Sequence, residues 1–405
     1  MPAAAPPVHE LNPNVAAVRP SETLAIMARA KALLREGRDV VALSAGEPDF
    51  DTPAPIVEAA HQALREGFTH YTPNAGIPEL REAVAEKLRR ENGLDVDAAQ
   101  VLCSNGAKQS VAQVVLALCR PGDEVLIPAP YWVSYPEMAR LAGAVPVALE
   151  TGPETEYKVT PEQLDDALTE RTRLLIFNSP SNPTGAVYTP EEVEALAAVL
   201  RRHEHVFIVS DEIYEHVLFD ARHVSPGALD GMGERTVTVN GFSKAYAMTG
   251  WRLGYCAGPA WIVDAAAKVQ SQLTSAPSSI SQKAGVAALA MSPEPVARMV
   301  EAFRRRRDVM LERVRQWPGV VCPKPEGAFY LFPDVSAYFG RATPGGTVIE
   351  GSEALCAYLL EEHGVALVPG SAFGADYGVR LSYAASMDDL VKAADRIEAG
   401  LAALR

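Results

Sequence analysis

Hydrophobic residues come in two alternating kinds of segment along most of the chain. Short runs rich in β-branched residues predict strands at 101–103, 124–128, 145–149, 173–177, 206–210, 236–240 and 252–256. Longer segments with apolar residues three or four apart predict helices at 54–65, 78–91, 108–118, 190–202 and 260–273. Strands that alternate with helices are typical of a mostly parallel sheet with helices on both faces. In such a sheet, ligands bind at the carboxyl ends of the strands.

The pattern changes after about residue 292. A long helix is predicted over 293–316 and an amphipathic helix over 387–404, with strand-like runs between them at 328–332, 365–369 and 379–383. This mixture predicts a second, smaller α+β domain. The basic run Arg304 to Arg307 falls on the long helix, where we expect a solvated or salt-bridged face.

Charge and composition narrow the possible partners. The chain has 405 residues, a formal net charge of −14 and a pI of about 5.1, which disfavours electrostatic binding to nucleic acid or anionic membranes. The five cysteines form no C-x-x-C pair and the eight histidines show no metal-ligand spacing, so we expect reduced thiols and no metal. No signal-peptide pattern and no apolar run near ~20 residues is present. These observations predict a cytoplasmic protein without a membrane partner.

The segment 240–255, NGFSKAYAMTGWRLGY, contains the first candidate site residues. Lys244 follows a strand end and the small residues Gly241 and Ser243, where a lysine can be partly sheltered from water. Desolvation lowers the pKa of an amine and makes it a nucleophile toward carbonyl groups. Arg252 offers paired donors that suit a phosphate. A lysine after a strand is also common on protein surfaces, so this segment needs support from others.

The second cluster is VSDEIYEHV, residues 209–217. Asp211 ends a buried apolar strand, and its carboxylate should therefore face the carboxyl edge of the sheet. An anion at that place can pair with the protonated ring nitrogen of a pyridoxal cofactor. Tyr214 can donate a hydrogen bond to the phenolic oxygen of the same ring. Asp211 is also typical of a helix N-cap, and the two roles are compatible.

Further candidates lie in turns that follow strands. Asn182 stands in a turn rich in proline and glycine, which is either a rigid connection or the place of a second donor to the ring oxygen. Gly106, Ala107 and Lys108 join a strand to a helix, where free backbone N–H groups can bind a phosphate. Neither G-x-G-x-x-G nor G-x-x-x-x-G-K-[ST] occurs, which disfavours a dinucleotide site and a P-loop.

Two more residues complete the candidate site. Trp132 follows a strand and is either a core residue or an aromatic wall of the pocket. Arg380 lies on a predicted strand of the second domain. An arginine there is usually a surface residue, but it can also bind a substrate carboxylate with two parallel hydrogen bonds.

The chain resembles the fold-type I, class I aminotransferases, which depend on pyridoxal 5'-phosphate, and among them the bacterial aspartate aminotransferases. The motifs that carry the resemblance are LSAGEPDFDTP (43–53), HYTPNAGIPELREAV (70–84), PYWVSYPEM (130–138), FNSPSNPTGAVY (177–188), SDEIYEHVLF (210–219), SKAYAMTGWRLGY (243–255) and VRLSYA (379–384). They span most of residues 20–386. The resemblance implies an α/β fold with a mostly parallel sheet in a large cofactor-binding domain. It is consistent with an arm (1–18), a small domain (19–50 and 293–405) and a large domain (51–292).

The resemblance implies a role for each cofactor-binding candidate. Lys244 resembles the lysine that forms a Schiff base with pyridoxal phosphate, and Asp211 resembles the partner of its ring nitrogen. Asn182 and Tyr214 resemble the donors to the ring oxygen. The phosphate would be bound by Ser243, Arg252, Gly106, Ala107 and Lys108.

The remaining implied roles concern the substrate and a second subunit. Arg380 resembles the residue that binds the α-carboxylate, and Gly46 and Trp132 resemble residues that line the substrate site. Tyr71 resembles a tyrosine that reaches the phosphate of the neighbouring subunit. The resemblance therefore implies a homodimer.

The sequence departs from many aspartate aminotransferases in one segment. In those enzymes an arginine from the partner subunit binds the side-chain carboxylate, but SQLTSAPSSISQK (271–283) contains no arginine. In the bacterial subgroup a lysine and a serine are thought to replace it, and Lys108 and Ser21 stand at the matching positions. We expect aspartate or glutamate as amino donor, with prephenate or an aromatic amino acid as the alternative.

The implied reaction moves an amino group from an L-amino acid to a 2-oxo acid with ping-pong kinetics, and the Lys244 amine transfers the Cα proton. A β-lyase on the same fold is an alternative, because a fold alone does not fix a reaction. A non-catalytic DNA-binding regulator is disfavoured, because residues before 20 are too few for a helix-turn-helix segment.

Overall fold

The computed structural model describes residues 11–20 and 22–405, so the predicted role of Ser21 lies outside the described residues. The strands are β1 Val41–Ala42, β2 Val101–Ser104, β3 Glu124–Ala129, β4 Val145–Glu150, β5 Thr172–Asn178, β6 Phe207–Asp211, β7 Thr236–Gly241, β8 Gly254–Ala257, β9 Tyr330–Leu331, β10 Val365–Ala366, β11 Val368–Pro369 and β12 Val379–Ser382. The α-helices are α1 Pro13–Ala16, α2 Glu22–Arg35, α3 Ala54–Arg65, α4 Pro78–Lys87, α5 Ala107–Leu118, α6 Ser134–Leu141, α7 Pro161–Ala167, α8 Pro190–Leu200, α9 Ala260–Leu273, α10 Ser279–Ala290, α11 Glu294–Arg315, α12 Ser352–His363 and α13 Met387–Ala403.

A seven-stranded sheet forms the centre of the protein, in the order β2-β8-β7-β6-β5-β3-β4. All neighbouring pairs from β7 to β4 are parallel, whereas β8 runs antiparallel to both β7 and β2. Asn178 pairs with Asp211, and Asp211 pairs with Val239. The carboxyl ends of β5, β6 and β7 therefore meet at one edge of the sheet, as the sequence predicts.

Helices cover both faces of the sheet, and successive side chains of each strand point to opposite faces, so both sets of side chains are buried. Leu174 and Ile176 of β5 pack in a core with α5, α6 and α9. Leu175 and Phe177 of the same strand pack in a second core with α7 and α8. This two-sided burial explains why the central strands are nearly continuous apolar runs.

Two smaller sheets use segments from both ends of the chain. β1 pairs in parallel with β10, and β11, β12 and β9 form an antiparallel sheet. Their core also contains residues of α11, α12 and α13, together with Tyr214 and Val217 from the segment after β6. The β1–β10 pair joins an early segment to the C-terminal region, and the division into domains stays a prediction.

Several elements differ from the sequence prediction. The helix predicted over 78–91 changes at Leu88 into a π-helix, Leu88–Asn92, which ends at Gly93 with φ of 69°. The run 365–369 forms two short strands that belong to different sheets. Arg307 of the basic run is buried and salt-bridged to Asp308 at 2.7 Å, so its environment is the salt-bridged one of the two that the sequence predicts. Its guanidinium also lies against Phe219 and donates to the Pro325 carbonyl.

Within residues 11–20 and 22–405, no helix has the length and apolar character needed to cross a membrane. The five cysteines are free thiols, and each is buried. Burial raises the pKa of every one of these thiols.

Candidate active site

A cavity of about 290 Å³ lies at the carboxyl edge of the central sheet. This is the place that the parallel topology favours for a ligand. Most residues that the sequence singles out line this cavity: Gly46, Ala107, Lys108, Trp132, Asn182, Asp211, Tyr214, Ser243, Lys244, Arg252 and Arg380. Residues far apart in sequence therefore meet in one site.

Lys244 lies beyond the end of β7 and reaches into the cavity. Its Nζ donates a hydrogen bond to the Gly46 carbonyl. Burial lowers the pKa of the Lys244 amine to about 8, and the nearby cations Arg380 and Arg252 act in the same direction. The Glu47 carboxylate opposes them. A substantial fraction of this amine is neutral, and therefore nucleophilic, near neutral pH.

Asp211 is the last residue of β6 and is 4% exposed. Its Oδ2 accepts a hydrogen bond from the Tyr135 hydroxyl at 2.8 Å, and its Oδ1 accepts from the Ile213 backbone N–H at 3.3 Å. The second bond has the geometry of a cap, but a turn rather than a helix follows. Burial raises the pKa of Asp211 to about 6. A cationic group beside this carboxylate would restore its charged form.

Arg380 is buried at the other side of the cavity. Its Nη1 donates to Asn182 Oδ1 at 2.9 Å and its Nη2 donates to the Ser44 carbonyl at 2.8 Å. Its guanidinium lies 4.7 Å from the centre of the Tyr330 ring. Nε of Arg380 is buried without a hydrogen-bond partner. A buried guanidinium with no carboxylate among these partners is a strong site for an anion.

Tyr214 is fully enclosed next to the cavity, and its hydroxyl forms a hydrogen bond of 2.7 Å with the Tyr330 hydroxyl. A Cβ atom added to Gly46 would lie 3.1 Å from the same Tyr330 oxygen. Glycine at position 46 therefore keeps space between the segment 43–53 and the two tyrosines.

The turn before α5 approaches Arg252 closely. Gly106 has φ of 88°, and a Cβ atom there would lie 2.5 Å from Arg252 Nη2. This turn and the arginine fit together only because position 106 is glycine. Ala107 begins α5, where backbone N–H groups are free of intrahelical partners, and Ser243 lines the same cavity. These groups form a site that favours an anion.

Lys108 and Trp132 lie together at the mouth of the cavity. Lys108 Nζ is 5.2 Å from the centre of the Trp132 ring, and this ring packs edge-on against Tyr135 at 5.3 Å. Burial and then Arg252 lower the pKa of Lys108. Trp132 therefore belongs to the wall of the cavity, and this contact is the favourable arrangement of a cation over an aromatic face.

Tyr71 stands apart from the other candidates. Its side chain is 100% exposed and does not line the cavity. A larger cavity of about 830 Å³ adjoins the first and shares Lys108 and Arg252 with it. Exposed apolar residues, including Leu141 and Leu273, line this larger cavity.

Sequence reasoning missed three residues that contact the predicted ones. Tyr135 binds Asp211, and Tyr330 binds Tyr214. Asn178 donates to the Asp211 carbonyl at 2.8 Å and accepts from the Asn182 N–H at 2.9 Å. The signal for Asn178 was available, because it ends β5 beside the end of β6. Tyr330 lies on a strand of another sheet. The sequence predicts that strand, but it gives no signal that the strand packs beside Tyr214.

These features define a pocket with an activated amine, a buried carboxylate and two anion sites. The sequence profile described as aminotransferase class I and II matches residues 38–397. The chain belongs to this family of aminotransferases, and it is a pyridoxal-phosphate-dependent aminotransferase that moves amino groups between amino acids and 2-oxo acids.

Similar proteins are found in plants and bacteria. The bifunctional aspartate aminotransferase and glutamate/aspartate-prephenate aminotransferase of Petunia hybrida is 55% identical over 399 residues, which cover 98% of this chain and 83% of the relative. The aspartate/prephenate aminotransferase of Cereibacter sphaeroides is 50% identical and covers 97% of this chain and 99% of its own. The crystal structure of the aspartate aminotransferase from Rhizobium meliloti has a TM-score of 0.94 at 44% identity, covering 98% of this chain and 100% of that chain. The structural likeness confirms the predicted α/β fold.

Proposed function

We propose that this aminotransferase takes its amino group from aspartate or glutamate and binds pyridoxal 5'-phosphate through Lys244. The observation that carries the proposal is the convergence of Lys244, Asp211 and Arg380 on one cavity. An amine, a carboxylate and a guanidinium in such a cavity match the aldehyde and ring nitrogen of this cofactor and the carboxylate of an amino acid.

The side chains around the cavity fit each part of the cofactor. The anion site formed by Ala107, Ser243 and Arg252 suits its phosphate. The Asp211 carboxylate suits a protonated ring nitrogen, because the pKa of about 6 that burial gives it would fall again beside a cation. Tyr214 and Asn182 line the same cavity and supply donors for the ring oxygen. When bound, pyridoxal phosphate delocalises the negative charge that remains after the Cα proton leaves.

Arg380 supplies the substrate clamp in this proposal. Its guanidinium is held by two hydrogen bonds and two aromatic rings, so its orientation is fixed before substrate binds. Arg380 lines the cavity, and its guanidinium has more N–H donors than these two hydrogen bonds use, so donors remain for an incoming carboxylate. Preorganised donors of this kind give orientation as well as affinity.

Lys244 moves the proton. Because the pKa of Lys244 is about 8, its neutral amine can take the Cα proton from the substrate and would return it at C4′ of the cofactor. The Gly46 carbonyl holds the amine in place while it is not bonded to cofactor. We expect activity to rise with pH up to about 8, because protonated Lys244 cannot accept a proton.

The choice of substrate side chain depends on Lys108 in this proposal. Its ammonium over the Trp132 ring offers a cation to a second carboxylate, as the side chains of aspartate, glutamate and prephenate would require. A solved structure of the Thermus thermophilus aspartate aminotransferase, 47% identical with a TM-score of 0.91, is described as being with maleate, which is a dicarboxylate. Relatives named as prephenate aminotransferases make prephenate a candidate amino acceptor, besides a simple 2-oxo acid.

We also propose that the active form is a cytoplasmic homodimer. The larger cavity with its exposed Leu141 and Leu273 is a surface that a second copy can cover. The fully exposed Tyr71 would then reach the phosphate site of the partner, which accounts for its absence from the cavity of its own chain.

A panel of amino donors and oxo acids tests the proposal with purified protein and pyridoxal phosphate. We expect turnover with aspartate or glutamate, a visible absorbance band from the bound cofactor, and loss of both in Lys244→Ala. Activity with aromatic donors but none with aspartate would reject the dicarboxylate assignment. Release of ammonia and pyruvate without an oxo acid would instead identify a β-lyase.

A further inference from the structure

The end of β6 and the turn after it present polar side chains to two different places. Asp211 and Tyr214 line the active-site cavity. Glu212 and Glu215 are also buried but do not line it. They enter a polar cluster behind the turn, which we call the rear cluster: Lys87, Asn92, Glu212, Glu215, His223, Ser225 and Asn240. None of these residues has a role in the reaction described above.

Hydrogen bonds satisfy both carboxylates of the rear cluster. Glu215 accepts from Lys87 and, at 2.6 Å, from the Asn240 amide. Glu212 Oε2 accepts from the Ser225 hydroxyl at 2.6 Å and lies 2.9 Å from His223 Nε2. A buried charge is tolerated only with such partners.

The cluster connects the two chain segments that carry the proposed chemistry. Glu212 and Glu215 stand on either side of Ile213 and Tyr214, immediately after Asp211. Asn240 belongs to β7, just before Lys244. The Glu215–Asn240 hydrogen bond therefore joins the turn that follows Asp211 to the strand that precedes Lys244.

The shape of α4 at its C-terminal end makes this arrangement possible. α4 ends at Lys87 and continues as the π-helix that ends at Asn92. Lys87 Nζ donates to Asn92 Oδ1 at 2.6 Å, and the Asn92 amide donates to Glu215 Oε2 at 2.6 Å. π-Helical turns are rare and occur frequently at functional sites.

Charge balance in the cluster depends on two cations. The Lys87 ammonium offsets Glu215, whereas Glu212 is offset only when His223 carries a proton. At the outer end, Glu91 pairs with His216 at 3.0 Å. The Lys87 ammonium lies among the side-chain oxygens of Asn92, Glu91 and Glu215.

We propose that Lys87 and His223 are positioning residues: their positive charges hold Glu212 and Glu215, and through them the turn that aims Asp211 and Tyr214 at the cofactor. This inference rests on the proposed function of that site. It assigns a task to buried charges that the reaction itself does not use.

The variants Lys87→Met, Glu215→Gln and the double variant test the proposal in the holoenzyme. Lys87→Met leaves Glu215, four residues after Asp211, as a negative charge without its ammonium partner. We expect the pKa of the cofactor's visible band to rise by about half a unit or more. We also expect kcat/KM to fall ~10-fold or more as the turn shifts. The double variant removes both charges and should recover most of the loss.

Arg307→Met is the matched control. Arg307 is a buried cation like Lys87, but it belongs to α11 and lines neither cavity. It should lower the unfolding midpoint and leave the pKa of the visible band unchanged. The proposal is wrong if Lys87→Met behaves like this control, or if the double variant is as impaired as Lys87→Met. If Lys87→Met does not fold, Glu215→Gln alone must still shift the band, since it unbalances Lys87 with little change in shape.

A measurement on the apoprotein separates this inference from the proposed function. Burial lowers the pKa of His223, but the Glu212 carboxylate, together with Glu215 and against Lys87, raises it above the ordinary 6.5. The stability that protonated His223 contributes is therefore full below pH 6.5 and is lost as pH rises through the raised value. His223→Gln should abolish this slope of the unfolding midpoint, and an unchanged slope would reject the charge balance. A wild-type protein that shows no visible band with pyridoxal phosphate would reject the proposed function instead.

Discussion

At the scale of single residues, Asp211 shows that the site is built at the expense of stability. Its carboxyl is buried with a pKa near 6, so at neutral pH the protein holds an anion that burial disfavours. The Tyr135 hydroxyl and the Ile213 N–H compensate only in part. Functional sites often carry such a cost.

Asp211→Asn should therefore stabilise the apoprotein while it removes activity. Because the folded pKa of Asp211 is raised from 3.8 to about 6, its favourable contribution is full below pH 3.8 and is lost as pH rises through 6. We expect the variant to gain up to about 3 kcal/mol over the wild type at pH 8 and nothing at pH 4. Urea unfolding of both apoproteins at the two pH values measures this difference.

Turnover of the same variant is the second readout, because a neutral amide cannot keep the ring nitrogen protonated. In the variant the amide oxygen can accept from the Ile213 N–H while the amide NH2 donates to the Tyr135 hydroxyl oxygen, so both contacts can persist. An Asp211→Asn variant that is less stable at pH 8, or that keeps full activity, would contradict this account.

The sequence predicts the residues at strand ends well. Lys244, Asp211 and Asn182 follow strands of the central sheet, and strand order alone brings them to one edge. Tyr330 and Tyr135 could not be assigned from the chain, because their hydrogen bonds depend on how a second sheet and α6 pack over that edge.

At the scale of elements, α11 holds the segment 43–53 that closes one side of the cavity. Arg306 binds both oxygens of Asp49, at 2.7 and 2.8 Å, and lies 5.2 Å from the Phe50 ring centre. The same segment carries Gly46, whose carbonyl accepts from Lys244. The Arg306–Asp49 ion pair thus connects α11 to the segment whose Gly46 carbonyl binds the Lys244 amine.

Arg306→Leu should weaken this connection. We expect a loss of about 1 kcal/mol in the free energy of unfolding, because the pair is bidentate and its side chains are only 13% and 28% exposed. We also expect kcat/KM to fall severalfold as Gly46 loses its fixed place. Arg298→Leu on the same helix is the control, since Arg298 and its partner Glu294 are 66% and 71% exposed and should contribute little. If both variants change the free energy of unfolding and kcat/KM equally, the Arg306–Asp49 pair does not position the segment 43–53.

Sequence patterns predict the existence of the elements better than their details. The helical period continues through 78–91, but a π-helix replaces the last turn, because Lys87 and Asn92 turn inward to buried carboxylates. The arginine run on α11 has uniform charge, yet Arg307 is buried, Arg306 is partly buried and Arg304 pairs with Asp220 near the surface. Periodicity cannot separate these environments, which tertiary packing sets.

At the scale of the whole molecule, the proposed dimer makes each cavity depend on two chains. Mixing two defective variants tests this directly. Lys244→Ala lacks the amine, and Tyr71→Ala lacks the hydroxyl that we expect in the partner's phosphate site. A hybrid dimer contains one cavity with both residues intact. We expect an equal mixture, after dissociation and reassociation, to recover about a quarter of wild-type activity by random pairing.

The two variants assayed separately are the control for this experiment. Activity of the mixture equal to the mean of the separate variants would mean that Tyr71 serves its own chain or no site at all. Size-exclusion chromatography of each variant shows whether the substitutions themselves change assembly.

The overall fold follows largely from the alternation of strands and helices, which predicts the parallel sheet and its active edge. The reversed direction of β8 does not follow, because the connection from β7 is the functional segment 242–253 rather than a crossover helix. The pairing of β1 with β10 is equally hidden, since it joins residues more than three hundred positions apart.

The buried thiols offer a practical consequence. A cysteine that is enclosed and protonated does not react with an alkylating reagent until the chain around it opens. Cys119 and Cys256 lie in the core between the central sheet and its helices, whereas Cys322 and Cys356 lie in the core that contains α11 to α13. Timed iodoacetamide labelling, read peptide by peptide in a mass spectrometer, would thus act as a clock for each core. The natural chain already contains every probe that this measurement needs.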